Sequence, residues 1–131
     1  MKKIFLTFIA ALALSLAANA DNVMKKTADG TYVVNSTTLC KAKGYTGATP
    51  VEVYIKDGKV VKVVPLAHKE GKAYFARVDK NLIKKVSGQK VSKAKKLATE
   101  AKVDGCTGAT FTTKAVQQNI KAALDYYQKH K

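Results

Sequence analysis

The strongest structural signal in the chain is Val51-Glu52-Val53-Tyr54-Ile55-Lys56-Asp57-Gly58-Lys59-Val60-Val61-Lys62-Val63-Val64. β-Branched residues are frequent on both sides of the Asp57-Gly58 pair, a dipeptide preferred in two-residue hairpin turns. Before the turn, aliphatic residues alternate with Glu52, Tyr54 and Lys56, so one face of this strand is predicted to be buried. The stretch therefore predicts a β-hairpin within an antiparallel sheet.

The segments around the hairpin supply the other predicted elements. Asp29-Gly30 precedes a short strand over residues 31–34, and residues 73–78 are predicted to add a further strand. Residues 79–86 and 91–101 are predicted to be helical, with Ser87-Gly88 between them.

The C-terminal segment has the spacing of an amphipathic helix that begins near Thr112 or Thr113. Its apolar residues recur at intervals of three and four: Val116, Ile120, Ala123, Leu124 and Tyr127. Packing this helix on the sheet would bury the apolar faces of both. The predicted fold is α+β, a small antiparallel sheet with a central hairpin, packed against a C-terminal helix and one or two further helices.

A loop of small and hydroxyl residues, Asp104-Gly105-Cys106-Thr107-Gly108-Ala109-Thr110, precedes that helix. Gly105 and Gly108 can adopt positive φ and allow a ligand to approach the backbone closely, and Ala109 leaves room. Thr110 is predicted to lie just before the helix, where free N–H groups and the helix dipole favour an anion. The loop thus predicts a phosphate-sized pocket. A plainer alternative is an ordinary loop with a threonine cap.

The tetrapeptide Thr-Gly-Ala-Thr of this loop occurs a second time, at residues 46–49. That copy has Lys43 where the later one has Asp104, and a strand follows it in place of a helix. We therefore interpret residues 46–49 as a decoy.

The N-terminus has the pattern of an export signal. Lys2 and Lys3 precede an apolar run over residues 4–16, and Ala18-Asn19-Ala20 suits cleavage before Asp21. The alternative is an uncleaved membrane anchor, but a spanning helix needs roughly 17 to 25 residues. We predict a cleaved signal peptide over residues 1–20 and one domain over 21–131, periplasmic or secreted, without a transmembrane anchor.

The chain is strongly basic, with a net charge of +15. Many of the charges lie in one segment, at Lys84, Lys85, Lys90, Lys93, Lys95, Lys96 and Lys102. The segment has no nucleic-acid-binding signature, so no nucleic-acid partner is expected. It is either a solvated surface or a docking face for an acidic redox partner or an anionic membrane.

The order of these parts resembles the FMN-binding domain family of extracytoplasmic flavoproteins. Asp104-x-x-Thr107-Gly108-Ala109-Thr110 is similar to the signal by which a flavin transferase attaches FMN, through its phosphate, to the last hydroxyl. The resemblance runs from about residue 30 to residue 127, through three further motifs: Asp29-Gly30-Thr31-Tyr32, Gly44-Tyr45-Thr46-Gly47 and Gly58-Lys59. Many relatives also carry Glu-Thr-Pro-Gly, where this chain has His68-Lys69-Glu70-Gly71, so Glu70 and Gly71 are not assigned to the pocket.

The resemblance implies covalent FMN on Thr110, with Tyr45 available to stack on the isoalloxazine. The implied cofactor-binding residues are Thr110, Asp104, Gly105, Thr107, Gly108, Ala109, Thr112, Gly44, Tyr45 and Gly47. No catalytic residue is assigned, and the isolated His68 and His130 do not suggest a metal site. The family includes flavin-bearing subunits of membrane-bound sodium-pumping and proton-pumping electron-transfer complexes, as well as small exported carriers.

Cys40 and Cys106 are the only cysteines. In an exported protein an even number favours a disulfide, which would bring the two glycine loops together. The alternative is a pair of separate buried thiols.

The predicted function is that of an exported electron carrier with unidentified redox partners, one of them in the membrane. Two alternatives stay open: a non-redox basic interaction module, and a flavin-dependent reductase. Covalent flavin would separate the carrier and the reductase from the interaction module.

Overall fold

The computed structural model describes residues 23–106 and 108–131. Its strands are β1 (Met24–Lys26), β2 (Tyr32–Asn35), β3 (Val51–Lys56) and β4 (Lys59–Pro65). Its helices are α1 (Lys72–Val78), a π-helical turn (Asp79–Ile83), α2 (Lys84–Val86), α3 (Val91–Leu97) and α4 (Thr110–His130). The predicted signal peptide lies outside these residues. Across the described ranges, no helix combines the length and the apolar character needed to cross a membrane.

The four strands form one antiparallel sheet in the order β1-β2-β3-β4. The predicted hairpin is confirmed: Lys56 pairs with Lys59, and Asp57 and Gly58 both have positive φ, of 52° and 75°. This is the pattern of a type I′ turn, whose twist matches that of the flanking strands. The pairing shifts by one residue after Tyr54, and the shift leaves Val61 exposed between the buried Val60 and Val63.

Helix α4 lies against β2 and β3 and provides one wall of the core. All five residues of its predicted apolar face are buried. Helix α2 contacts β4, while α3 packs on both β4 and α4. The predicted α+β fold, with a small antiparallel sheet against a C-terminal helix and further helices, is confirmed.

Residues 73–78 are helical, so the prediction of a strand there was wrong. Phe75, Val78 and Leu82 are buried at spacings of three and four, whereas the residues between them are exposed or half-buried. That is a helical period, but a run of six residues is too short to separate it from a strand. The helical predictions for 79–86 and 91–101 are confirmed, although α3 ends at Leu97.

Candidate functional site

Helix α4 begins at Thr110, two or three residues earlier than predicted, so Thr110 belongs to its first turn. Its N-cap residue, Ala109, has no side chain that can cap the helix. The Thr113 hydroxyl donates to the Ala109 carbonyl at 2.7 Å, and the Thr112 hydroxyl donates to Glu70. Neither threonine is therefore the cap proposed in the plainer reading. The positive end of the helix dipole is left without a capping side chain beside the exposed Thr110.

The loop before α4 is pressed against the helical segment that begins with α1. Gly105 has a φ of +88°, and a Cβ built on it would lie 2.4 Å from the side chain of Asn81. The Asn81 amide donates to the Gly105 carbonyl at 3.1 Å and to the Arg77 carbonyl at 2.9 Å. Only glycine satisfies both the backbone conformation and the space at this position.

Gly108 makes a similar approach to α1 on the other side of this loop. Its φ is +84°, and a Cβ there would lie 3.1 Å from Arg77 Nη1 and 3.5 Å from the ring of Tyr74. Asp104 is exposed, and Thr107 lies outside the described residues. The predicted close approach of the loop is thus made, in the structure, to α1.

A cavity of about 310 Å³, here called the aromatic cavity, opens between this loop, α1 and the Gly44–Gly47 loop. It is lined by Tyr45, Glu70, Gly71, Tyr74, Gly108, Ala109, Phe111 and Thr112. Among the described residues only four large hydrophobic side chains are exposed, and three of them line this cavity: Tyr45 at 79%, Phe111 at 65% and Tyr74 at 50%. Apolar rings gathered around one opening indicate a binding site for a planar, largely apolar group.

Glu70 lies in the wall of the aromatic cavity, although it was not among the predicted site residues. Its side chain is 6% exposed, yet it accepts hydrogen bonds from the N–H groups of Tyr45 and Thr46, both at 2.8 Å, and from the hydroxyls of Thr46 and Thr112. Burial alone would raise the pKa of this carboxyl, but the four hydrogen bonds outweigh it and lower the pKa from 4.5 to about 2. Glu70 therefore ties the first glycine loop to the start of α4 as a carboxylate.

The sequence signal for Glu70 was its place in residues 68–71, where the resembling family carries Glu-Thr-Pro-Gly, but the departure from that motif left Glu70 unassigned. Gly44 shows how closely its carboxylate is packed. A Cβ at Gly44 would lie 2.6 Å from Glu70 Oε1 and 3.2 Å from Thr112 Cα. Gly71, also left out of the prediction, lies beside Glu70 in the same wall.

The first glycine loop divides between two places. Tyr45 lines the aromatic cavity and Gly44 packs against Glu70 in its wall, whereas Gly47 lines a separate surface depression with Ala67 and His68. Thr49, the last residue of the decoy tetrapeptide, is 1% exposed, and its hydroxyl has no hydrogen-bond partner among the described residues.

Thr110 faces a second cavity, here called the lysine cavity, of about 100 Å³. It is lined by Ala101, Lys102, Val103, Cys106, Thr110, Thr113, Lys114 and Gln117. The residues on either side of Thr110, Ala109 and Phe111, line the aromatic cavity instead. Thr110 thus lines the lysine cavity, and the residues on either side of it in the chain line the aromatic cavity.

The predicted disulfide is not formed, because Cys40 and Cys106 are both free thiols. Cys106 is buried under α1, and its Sγ donates to the Arg77 carbonyl at 3.7 Å. Cys40 lies after β2, where its N–H donates to Ser36. The two thiols therefore pack in separate surroundings, but only Cys106 is buried as the alternative expected, because Cys40 is half-buried.

One comparison with known proteins found a match. The model of a family described as FMN-binding domain matches residues 44–125, more than half of the chain. The matched span contains both glycine loops, Glu70, α1 and most of α4. No curated protein and no solved structure matches the chain.

Proposed function

The chain belongs to the FMN-binding domain family and is a flavoprotein, and from that premise we propose that it carries FMN covalently, through a phosphoester on Thr110, as an electron carrier outside the cytoplasm. The observation that carries this proposal is the position of Thr110. Thr110 is exposed and lines the lysine cavity, while its two neighbours in the chain, Ala109 and Phe111, line the aromatic cavity. FMN likewise has an anionic phosphate at one end and a planar ring system at the other.

The lysine cavity fits the phosphate end of FMN. Lys102 and Lys114 both line it, and Thr110 is the first residue of a helix that no side chain caps. A phosphodiester on Thr110 would be stabilised by the two ammonium groups, by the free N–H groups of the first turn and by the helix dipole.

The aromatic cavity fits the isoalloxazine end. Tyr45, Tyr74 and Phe111 present three rings at its mouth, and aromatic side chains favour offset or edge contacts with another ring. Gly44 and Gly108, where a Cβ would collide with neighbouring side chains, keep these walls close together. We expect Tyr45 to stack on the ring, as its motif implied.

Bound FMN supplies reversible acceptance of electrons, and the residues of the chain supply attachment, orientation and access. The exposure of Tyr45 and Phe111 leaves the aromatic cavity open to solvent, which suits transfer to a docked protein better than enclosure of a small substrate. Glu70, the acidic residue of its wall, is held as a carboxylate by four donors and is a poor proton donor. These features favour a carrier over a reductase.

Export and partners complete the proposal. The N-terminal pattern over residues 1–20 would deliver the mature domain, 21–131, to the periplasm or the exterior. A flavin transferase would attach FMN there, and a membrane-associated donor and an unidentified acceptor would exchange electrons with it. The basic surface would speed encounter with acidic partners at low salt.

Mass spectrometry of the protein from a host with an active flavin transferase tests attachment. We expect an FMN adduct on Thr110 in the tryptic peptide Val103–Lys114, which excludes the decoy. Thr110→Val should abolish the adduct, because the accepting hydroxyl is gone.

Thr49→Val is the matched control. It removes a buried hydroxyl that has no hydrogen-bond partner among the described residues, so folding and covalent flavin should both be retained. An unmodified Val103–Lys114 peptide in the parent protein, from cells with an active transferase, would contradict the proposal and favour the basic interaction module.

A further inference from the structure

Arg77 is the only arginine among the 24 basic residues of the chain. Lysine serves wherever the chain needs a surface charge, so the one guanidinium points to a task that an ammonium group does less well. Arg77 contacts two residues of the aromatic cavity. Its Cζ lies 5.4 Å from the centre of the Tyr74 ring, and its Nη1 would be 3.1 Å from a Cβ on Gly108.

The backbone of Arg77 is held against the loop that precedes Thr110. Its carbonyl accepts hydrogen bonds from Asn81 Nδ2 at 2.9 Å and from Cys106 Sγ at 3.7 Å. The π-helical turn begins two residues later, and such turns are frequent at functional sites. These contacts fix where the arginine stem leaves α1 relative to the cavity.

A guanidinium suits this position because it is planar. It can lie over an aromatic face and spread its positive charge over that plane, which a compact ammonium group does less well. The other cations near Thr110, Lys102 and Lys114, line the lysine cavity. Arg77, in contrast, contacts Tyr74 and Gly108 in the walls of the aromatic cavity.

We propose that Arg77 sets the redox potential of the flavin, by placing a positive charge at the edge of the aromatic cavity. This inference rests on the proposed function. Two electrons and one proton convert the neutral oxidised isoalloxazine into a reduced, anionic ring, so a nearby cation stabilises the reduced form more than the oxidised one. The negative charge of Glu70, in the same wall, is already engaged by four hydrogen bonds.

The test is a redox titration of the mature flavinylated protein, with dithionite as the reductant and flavin absorbance as the readout. We expect Arg77→Gln to leave covalent loading unchanged and to lower the midpoint potential by about 30 mV or more, which is a tenfold loss of preference for the reduced form in a two-electron couple. Arg77→Met, which keeps an apolar stem over Tyr74, should lower it similarly. Arg77→Lys, which keeps the charge but not the planar group, should lower the potential by less than Arg77→Gln does.

Lys129→Gln is the control for loss of one positive charge. Lys129 lies near the far end of α4, about 28 Å from Thr110 at a rise of 1.5 Å per residue. This distance exceeds the Debye length of about 10 Å at 0.1 M salt. The midpoint potential of the Lys129→Gln variant should therefore equal that of the parent.

Three results would overturn the inference. An unchanged potential in Arg77→Gln or Arg77→Met with FMN attached would exclude a charge effect, and an equal fall in Arg77→Lys would indicate packing instead of charge. Absence of the adduct from the parent protein would overturn the proposed function and this inference together, whereas an adduct with unaltered potentials would overturn the inference alone.

Discussion

At the scale of single residues, Glu70 links the parts of the candidate site. Its carboxylate joins Tyr45 and Thr46, in the first glycine loop, to Thr112, in the first turn of α4. These partners lie 24 to 42 positions away in the chain. Sequence patterns over a few neighbouring residues could not have paired them.

Glu70→Gln should destabilise the protein by about 2 to 3 kcal/mol, because it replaces a charged acceptor with an amide whose NH₂ faces other donors. Urea unfolding at pH 7 measures the change. Glu100→Gln, at an exposed position, is the control and should stay within about 0.5 kcal/mol of the parent. Equal stability of the two variants would exclude the linking role of Glu70.

At the scale of elements, the predictions succeeded where the signal was local and long enough. The Asp57-Gly58 turn and the apolar face of α4 need only neighbours in the chain to be recognised. Helix α1 was missed because its run is short, and that error concealed Tyr74 and Arg77 as neighbours of the site. The first residue of α4 was misplaced because Thr112 and Thr113, the expected caps, bond elsewhere.

The fit between the loop and the π-helical turn can be tested at Gly105. Gly105→Ala should cost more stability than Gly30→Ala, because both positions have a φ near +90° but only Gly105 has a neighbour, Asn81, in the path of the new Cβ. Backbone strain alone costs about 1 to 3 kcal/mol. Urea unfolding of both variants gives the difference.

Gly105→Ala should also lower covalent loading. Displacing Asn81 would break its hydrogen bond to the Gly105 carbonyl, which holds the loop in place. Gly30→Ala should load normally. Equal unfolding costs and equal loading would mean that the loop does not depend on its contact with Asn81.

At the scale of the whole molecule, the sequence predicted the loop residues at the candidate FMN site but not all the residues that form the walls of the aromatic cavity. Thr110, Gly108 and Ala109 were found from the loop itself. Phe111 and Glu70 were not, because an exposed aromatic and a buried acid acquire meaning only when the tertiary fold brings them to one cavity.

Lowering the pH should reduce the free energy of unfolding, in part because Glu70 becomes protonated. Its pKa falls from 4.5 to about 2 on folding, so its stabilising contribution is complete above about pH 4.5 and is lost as the pH falls through about 2. The linkage amounts to about 3 kcal/mol. Hydrogen bonds to Asp29, and the ion pairs of Asp125, lower the pKa of those carboxyls also, so part of the acid sensitivity is independent of Glu70.

The measurement is urea unfolding of the parent and Glu70→Gln between pH 7 and pH 2. The gap between their stabilities should narrow as the pH falls. Parallel curves would show that the Glu70 carboxylate is not stabilised by folding.

The burial of Thr49 has a consequence for the order of maturation. The chain presents Thr-Gly-Ala-Thr twice, but once folded it encloses the final hydroxyl of one copy and leaves that of the other, Thr110, in solvent. An enzyme that modifies the folded domain therefore has access to only one of these two final threonines. Folding alone then distinguishes the two copies. If Thr110 is flavinylated after export, as proposed, folding before flavinylation is the order that requires no further discrimination between the two copies.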